Sequence, residues 1–127
     1  MDISVIGASG SCGREIVTQL VSARVLGRGE LLQLIGGNPG SRRPSYLHGL
    51  RADLQDAYAE NIAEIDVSDD ADEIVGDIVV MAAGTTFPTD AGSIGKLQSR
   101  DDLGRANAIL FEHFARAVAR HRASNPP

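Results

Sequence analysis

A glycine-rich turn near the start of the chain has the residue types and the spacing to bind phosphate groups. Its sequence is GASGSCG, in which Gly7, Gly10 and Gly13 recur at every third position. Glycine permits a sharp turn and lets the backbone approach a pyrophosphate without a side chain between them. If a helix begins here, its free amides and the positive end of its dipole also attract phosphate. We therefore predict a cofactor-binding turn made of Gly7, Ala8, Ser9, Gly10, Ser11, Cys12 and Gly13.

The segments on either side of the turn are those that such a turn requires. Residues 2–6 form a short apolar run typical of a buried strand, and residues 14–21 carry apolar side chains on one helical face. A strand, a glycine turn and a helix in this order favour nucleotide binding. The spacing G-x-x-G-x-x-G is less common than G-x-G-x-x-G, and a plain connection between strand and helix is the alternative interpretation.

The chain has a single cysteine, Cys12, which lies at the predicted start of the first helix. A helix start stabilises a thiolate, but no histidine stands near Cys12 in the sequence to activate it. We interpret Cys12 as a small residue at the helix start. A single cysteine excludes an internal disulfide and fits a reducing compartment, so we expect a cytoplasmic protein.

The composition is that of an ordinary globular protein, with 127 residues, 43% hydrophobic and 23% charged. This length predicts one domain around a single core. The net charge of -5 gives no basic field for nucleic acid or an anionic membrane. No apolar run approaches the ~20 residues of a membrane helix. The acidic cluster at 69–73 lacks the spacing of a calcium loop and is typical of a first helical turn, so we predict no metal site.

Predicted strands and helices alternate along the chain, which favours an α/β fold with a Rossmann-type doubly wound parallel sheet in three layers, α/β/α. The apolar run 78–83 predicts a central strand, and the long loop at 85–99 is typical of a lid or binding loop. Ligands of such sheets bind at the carboxyl ends of the strands, where we expect Ala83 and Gly84 to contact the cofactor. The predicted strands are 2–6, 30–35, 62–67 and 78–83, and the predicted helices are 14 to about 26, 46–63, a short one at 69–73 and a last one from 101.

The end of the second predicted strand bears on the choice of cofactor. Many dinucleotide folds carry an acidic residue there for the adenosine ribose, but this chain has Gly36, Gly37 and Asn38. Arg42 and Arg43 follow, and arginine pairs bidentately with phosphate. We predict that all these residues except Arg43 bind the cofactor and that NADP is at least tolerated beside NAD. The alternative is that both arginines are solvated loop charges.

Four segments, in order, resemble the lactate/malate dehydrogenase family, and most closely its malate branch. They are GASGSCG at 7–13, GLRADLQDA at 49–57, DIVVMAAG at 77–84 and SRDDLGRANAILF at 99–111. The resemblance implies the NAD(P)-binding half of an oxidoreductase that transfers a hydride between a nicotinamide cofactor and a 2-hydroxy acid, most closely malate. It also implies a small-molecule substrate and, for the full-length protein, a homo-oligomer such as a dimer or tetramer.

The resemblance assigns roles to particular residues. Arg100 resembles the arginine of the family's mobile loop, which closes over the substrate and polarises its carbonyl. A guanidinium suits this task because it stays charged and offers forked donors to an oxyanion. Asn107 resembles the asparagine that contacts the cofactor.

The chain departs from the family pattern in two ways. Malate dehydrogenases carry another arginine early in the mobile loop, whereas residues 85–94 include no basic residue. Lys96 could supply a point charge, but lysine copies a bidentate clamp poorly. The family's histidine–aspartate pair lies beyond position 127, and His113 and His121 match nothing in that motif. We therefore expect the 127 residues alone to be inactive.

Two other functions remain open from the sequence. A short-chain reductase uses similar glycine spacing, but its Tyr-x-x-x-Lys pair is missing, because neither Tyr46 nor Tyr58 has a lysine four residues later. A stand-alone nucleotide-binding regulatory module needs no acid/base pair. A continuation of the reading frame that contains a histidine–aspartate pair favours the dehydrogenase over this module.

Overall fold

A parallel sheet with helices on both faces forms the framework of the protein in a computed structural model, which describes residues 1–36, 44–84 and 100–126. Strands and helices alternate as the sequence predicts. In chain order the elements are β1 (Ile3–Ile6), α1 (Ser11–Ser22), β2 (Leu31–Ile35), α2 (Pro44–Ala57), β3 (Glu64–Ser68), a 3-10 helix (Ala71–Glu73), β4 (Ile78–Met81) and α3 (Arg100–Ser124).

The four strands are parallel and lie in the order β3-β2-β1-β4. Ile3 of β1 pairs with Leu32 of β2 on one side and with Ile78 of β4 on the other. The chain therefore starts in the middle of the sheet, moves outward to β3 and returns across β1 to β4. Doubly wound sheets bind ligands outside the carboxyl ends of the strands, where the strand order reverses. Here the reversal lies between β1 and β4.

Successive side chains of each strand point to opposite faces of the sheet, so the strands contribute to two apolar cores, one on each face. Helices α1 and α2 cover one face, and α3 with the 3-10 helix covers the other. The first core contains Ile3, Val5, Ala8, Val17, Val21, Leu26, Leu32, Leu34, Leu47, Leu54 and Ile65. The second contains Ile6, Ile35, Ala71, Ile74, Ala83, Leu110, Phe114 and Ala117. This three-layer arrangement confirms the predicted Rossmann-type α/β fold.

A buried polar network holds the connection between β3 and β4 against the second face. The Ser4 hydroxyl donates to Gln33 Oε1 at 2.7 Å and accepts from the N–H of Gly76 at 2.9 Å. Gln33 Nε2 donates to the Glu73 carbonyl at 2.8 Å, and the N–H of Val75 donates to Gln33 Oε1 at 3.1 Å. These bonds satisfy the polar groups that the sheet buries. This network was not predicted from the sequence.

Two helices end earlier than predicted. Helix α1 ends at Ser22 because Arg24 takes a left-handed conformation with φ of 52°, and the N–H of Val25 then donates to the Leu20 carbonyl at 3.1 Å. This closure is a Schellman motif, which usually has glycine at the left-handed position.

Helix α2 ends at Ala57 rather than at Ala63. The N–H of Asn61 donates to the Tyr58 carbonyl at 2.9 Å, and the Asn61 side chain donates to the Ala63 carbonyl at 3.1 Å. These two bonds turn the chain toward β3. Asparagine favours such local bonds over a continued helix.

The strand predicted over 78–83 forms, but it is shorter than predicted. Strand β4 ends at Met81 and pairs only with β1 among the strands that the structure describes. Its end residues Ile78 and Met81 are 45% and 40% exposed. The apolar run predicted the strand, but the point at which its pairing with β1 ends depends on residues of another segment.

Candidate cofactor site

The first glycine of the turn is required by the packing of the turn itself. Gly7 has a φ of 82°, a conformation that favours glycine, and a Cβ at this position would lie 2.4 Å from the backbone nitrogen of Ala83. The N–H groups of Gly7 and Ala8 donate to the Ile35 carbonyl at 2.9 and 3.1 Å. The turn is therefore packed against the ends of both strands that flank β1.

The last glycine is required by the approach of helix α1 to the turn. A Cβ on Gly13 would lie 2.0 Å from the carbonyl oxygen of Gly7, closer than real Cβ atoms come to any atom. Gly13 is buried, and the absence of a side chain lets α1 begin directly against the turn.

The middle glycine of the turn is required neither by its backbone conformation nor by the packing around it. Gly10 precedes α1 with φ of -79° and ψ of 169°, which any residue can adopt, and a Cβ there would meet only the Gly7 oxygen at an ordinary 3.5 Å. It is exposed, as are Ser9, Ser11 and Cys12. Gly10 directly precedes helix α1, and a Cβ there would meet no other atom within 4 Å among the described residues.

The same helix start presents unused amide donors. The N–H of Arg14 donates to the Gly10 carbonyl at 2.9 Å, which is the first hydrogen bond of α1. The amides of Ser11, Cys12 and Gly13 find no acceptor among the described residues. An anion that binds there gains these donors and the favourable end of the helix dipole.

The end of β2 has room for a side chain, and a carboxylate group lies close to it. Gly36 donates its N–H to the Ser68 carbonyl at 3.0 Å, and a Cβ on Gly36 would lie 3.9 Å from the Cα of Asp69. Asp69 is exposed and directly follows β3, 33 positions after Gly36, so the residues after β2 alone do not predict a carboxylate here. Three more residues that were predicted to bind the cofactor lie outside the described residues, namely Gly37, Asn38 and Arg42. The neighbouring Arg43 also lies outside them.

The end of β4 meets helix α3 at the same edge of the sheet. Ala83 is buried beside Gly7, and the side-chain oxygen of Asn107 would lie 3.6 Å from a Cβ on the exposed Gly84. Asn107 is half-buried and engaged in a further interaction. The structure therefore brings together Ala83, Gly84 and Asn107, which were predicted to bind the cofactor from two separate arguments.

Arg100 is the first residue of α3 and is exposed. It precedes Asn107 by seven residues, which is close to two helical turns and about 10.5 Å along the helix axis. Both side chains therefore project from the same side of α3, with Arg100 farther from the sheet edge. Lys96 and the rest of the predicted mobile loop lie outside the described residues.

The far end of α3 lies at the opposite edge of the sheet. His121 Nε2 lies 3.2 Å from the carbonyl oxygen of Gly76, which precedes β4, and Asn125 contacts its other ring nitrogen at 3.3 Å. His113 is exposed and packs edge-on against Phe114, with ring centroids 5.1 Å apart. His48 is exposed on α2. The structure thus gives none of these histidines a contact with the glycine turn.

The N-terminal amino group also lies at the opposite edge of the sheet. The amino group of Met1 and the carboxylate of Glu30 form an ion pair at 2.5 Å. The hydrogen bond that the Met1 amino group donates to Glu30 raises the pKa of this amino group, and the same bond lowers the pKa of the Glu30 carboxyl. Within the described ranges, no three histidine, cysteine or acidic residues lie close enough to hold a metal ion. The described part also includes no helix long and apolar enough to cross a membrane.

Comparisons with known proteins find solved structures that are similar to this chain but no matching sequence family. A scan against protein-family models gives no match, and a search of curated proteins gives none either. Among solved structures, malate dehydrogenase from Naegleria fowleri matches with a TM-score of 0.69 and 21% identity over 92% of this chain. Lactate dehydrogenase from Trichomonas vaginalis, in complex with NADH and oxamate, matches with a TM-score of 0.68 and 22% identity over 94%.

Each match covers only 34% of the dehydrogenase chain. This chain therefore spans about a third of the length of the structures that it resembles. At this level of identity the similarity concerns the fold. The resemblance in the sequence is confirmed at that level: the chain has the Rossmann-type fold that malate and lactate dehydrogenases contain.

Proposed function

We propose that this chain is the NAD(P)-binding part of an oxidoreductase that transfers a hydride between a nicotinamide cofactor and a 2-hydroxy acid, with malate and oxaloacetate as the substrate pair. The observation that carries the proposal is Gly10. Neither its backbone conformation nor its neighbours require glycine, yet it directly precedes the open amides of α1, where a side chain would crowd a bound phosphate. A pyrophosphate group accounts for both features.

The residues at the carboxyl edge of the sheet fit a dinucleotide. The backbone from Gly7 to Gly13 would hold the pyrophosphate, and Ala83, Gly84 and Asn107 would line the part that extends toward β4. The nicotinamide ring supplies hydride transfer when the cofactor is bound. The similar Trichomonas enzyme forms a complex with NADH and oxamate, which supports a nicotinamide cofactor and a small acid for this fold. We also propose that the full-length protein accepts NADP.

Arg100 is the residue that we propose for the substrate carbonyl. Its place at the start of α3, two turns from Asn107, puts a permanent positive charge on the side of the helix that meets the cofactor edge. A guanidinium there stabilises the negative charge that develops on the substrate oxygen.

We propose that the acid/base pair of the reaction comes from a catalytic domain outside these 127 residues. The described contacts of His121 and His113 support this, because they engage both side chains away from the glycine turn. The proposed enzyme is a cytoplasmic homo-oligomer, and the chain alone transfers no hydride.

The test uses Gly10→Val in the full-length protein. Titration with NADH or NADPH should show binding to the natural protein and none to the variant, while circular dichroism stays nearly unchanged. Gly49→Val is the matched control, because Gly49 is exposed on α2 with no atom within 4 Å of its added Cβ. If the Gly10 variant binds the dinucleotide as well as the natural protein does, the glycine turn is not the cofactor site.

A further inference from the structure

A hydrogen bond between Arg14 and Tyr46 joins the first turns of two helices beside the candidate site. Arg14 Nη1 donates to the Tyr46 hydroxyl oxygen at 2.9 Å, and both side chains are exposed. Arg14 directly follows Gly13, and its own N–H makes the first hydrogen bond of α1. The bond therefore anchors a positive charge next to the phosphate-binding turn.

The other partner lies near the end of β2. Leu47, the residue after Tyr46, is buried, and its Cδ1 would lie 4.0 Å from a Cβ on Gly36. Dinucleotide folds bind the adenosine ribose at the end of the second strand, and an arginine nearby accommodates the 2′-phosphate of NADP. Arg14 thus directly follows the glycine turn, and Tyr46 directly precedes the residue whose side chain reaches the end of β2.

We propose that Arg14 binds the 2′-phosphate of a phosphorylated dinucleotide, that Tyr46 orients it, and that this pair selects for NADP. The inference rests on the proposed function. A guanidinium has five N–H donors and pairs bidentately with phosphate. Tyr46 takes one of them, and the others find no acceptor among the residues that the structure describes. The hydroxyl of Tyr46 is a positioning group, because it reaches the ligand only through Arg14.

Asp69 opposes this preference. Its Cα would lie 3.9 Å from a Cβ on Gly36, and its exposed carboxylate repels a 2′-phosphate and suits the ribose hydroxyls of NAD. We therefore expect the choice of cofactor to reflect the balance between Arg14 and Asp69.

The experiment measures dissociation constants of the full-length protein for NADPH, NADH, 2′,5′-ADP and 5′-AMP. Arg14→Gln should weaken NADPH and 2′,5′-ADP about 10- to 100-fold, since hydrogen bonds to charged groups are lost, and leave NADH and 5′-AMP nearly unchanged. Arg14→Lys keeps the charge without the fork and should give an intermediate loss. Tyr46→Phe should give a smaller loss confined to the phosphorylated ligands, and Asp69→Asn a gain for them.

Arg28→Gln is the control, because Arg28 is an exposed arginine between α1 and β2 at the opposite edge and its loss changes the net charge equally. Equal losses for Arg14→Gln and Arg28→Gln would mean that only overall charge matters and would overturn the inference. Equal weakening of NADPH and NADH by Arg14→Gln would also overturn it, by placing Arg14 on the pyrophosphate. Unchanged affinities for all four ligands would overturn it while the proposed function stands. A natural protein that binds neither dinucleotide would refute the proposed function and this inference together.

Discussion

The side-chain oxygen of Asn107 lies 3.6 Å from the point where a Cβ on Gly84 would stand, so helix α3 meets the end of β4 at the edge that carries the glycine turn. The two residues are 23 positions apart, and the sequence related them only through a family resemblance. Their contact orients α3 with its first residue, Arg100, toward this edge and with His121 toward the opposite one.

This orientation leads to a prediction for Arg100. In the full-length enzyme, Arg100→Gln should lower kcat by about 100- to 1,000-fold, the usual loss when one oxyanion donor is removed. The affinity for the cofactor should hardly change, because an interaction made mainly in the transition state affects turnover more than binding. Steady-state kinetics and a cofactor titration measure the two quantities separately.

Arg105→Gln is the matched control, since Arg105 is exposed on α3 five residues later and so projects from a different side of the helix. A similar loss of kcat in this control would refute the role of Arg100, as would a large loss of cofactor affinity in Arg100→Gln.

A second prediction concerns Gly36. Gly36→Asp should lower kcat/KM for NADP relative to NAD by about 10-fold or more, because the carboxylate would face the 2′-phosphate. The structure accommodates the change, since the nearest atoms to an added Cβ are 3.9 and 4.0 Å away. Gly36→Asn has nearly the same size without the charge and should leave the ratio nearly unchanged. Equal ratios in the two variants would show that the adenosine ribose lies elsewhere.

A third prediction separates the folding role of one glycine from the binding role of another. Gly13→Ala should reduce the free energy of unfolding by about 1–3 kcal/mol or more, because the added Cβ would collide with the Gly7 carbonyl oxygen and the backbone must shift. Gly10→Ala places its Cβ at an ordinary 3.5 Å and should change stability by less than about 1 kcal/mol. Urea unfolding monitored by circular dichroism measures both values, and equal destabilisation by the two variants would contradict this division.

Much of the fold could be predicted from the sequence, because local patterns are written in consecutive residues. The turn with its flanking strand and helix, the last helix and the alternation of strands and helices were all predicted correctly. The ends of the helices were predicted less accurately. The end of α1 depends on the left-handed conformation of Arg24, which the sequence does not indicate because glycine usually takes that position.

By itself the sequence determined which residue types are available: a glycine turn that can approach phosphate, an arginine and an asparagine seven residues apart, and no ribose carboxylate after β2. Only the tertiary structure decided which residues become neighbours across separate strands and helices. It placed Asp69 beside Gly36, joined Arg14 to Tyr46, and separated His121 from the cofactor edge. The physical reason is that periodicity encodes which face of an element is buried, whereas contacts between distant residues depend on strand order and on the direction in which each helix crosses the sheet.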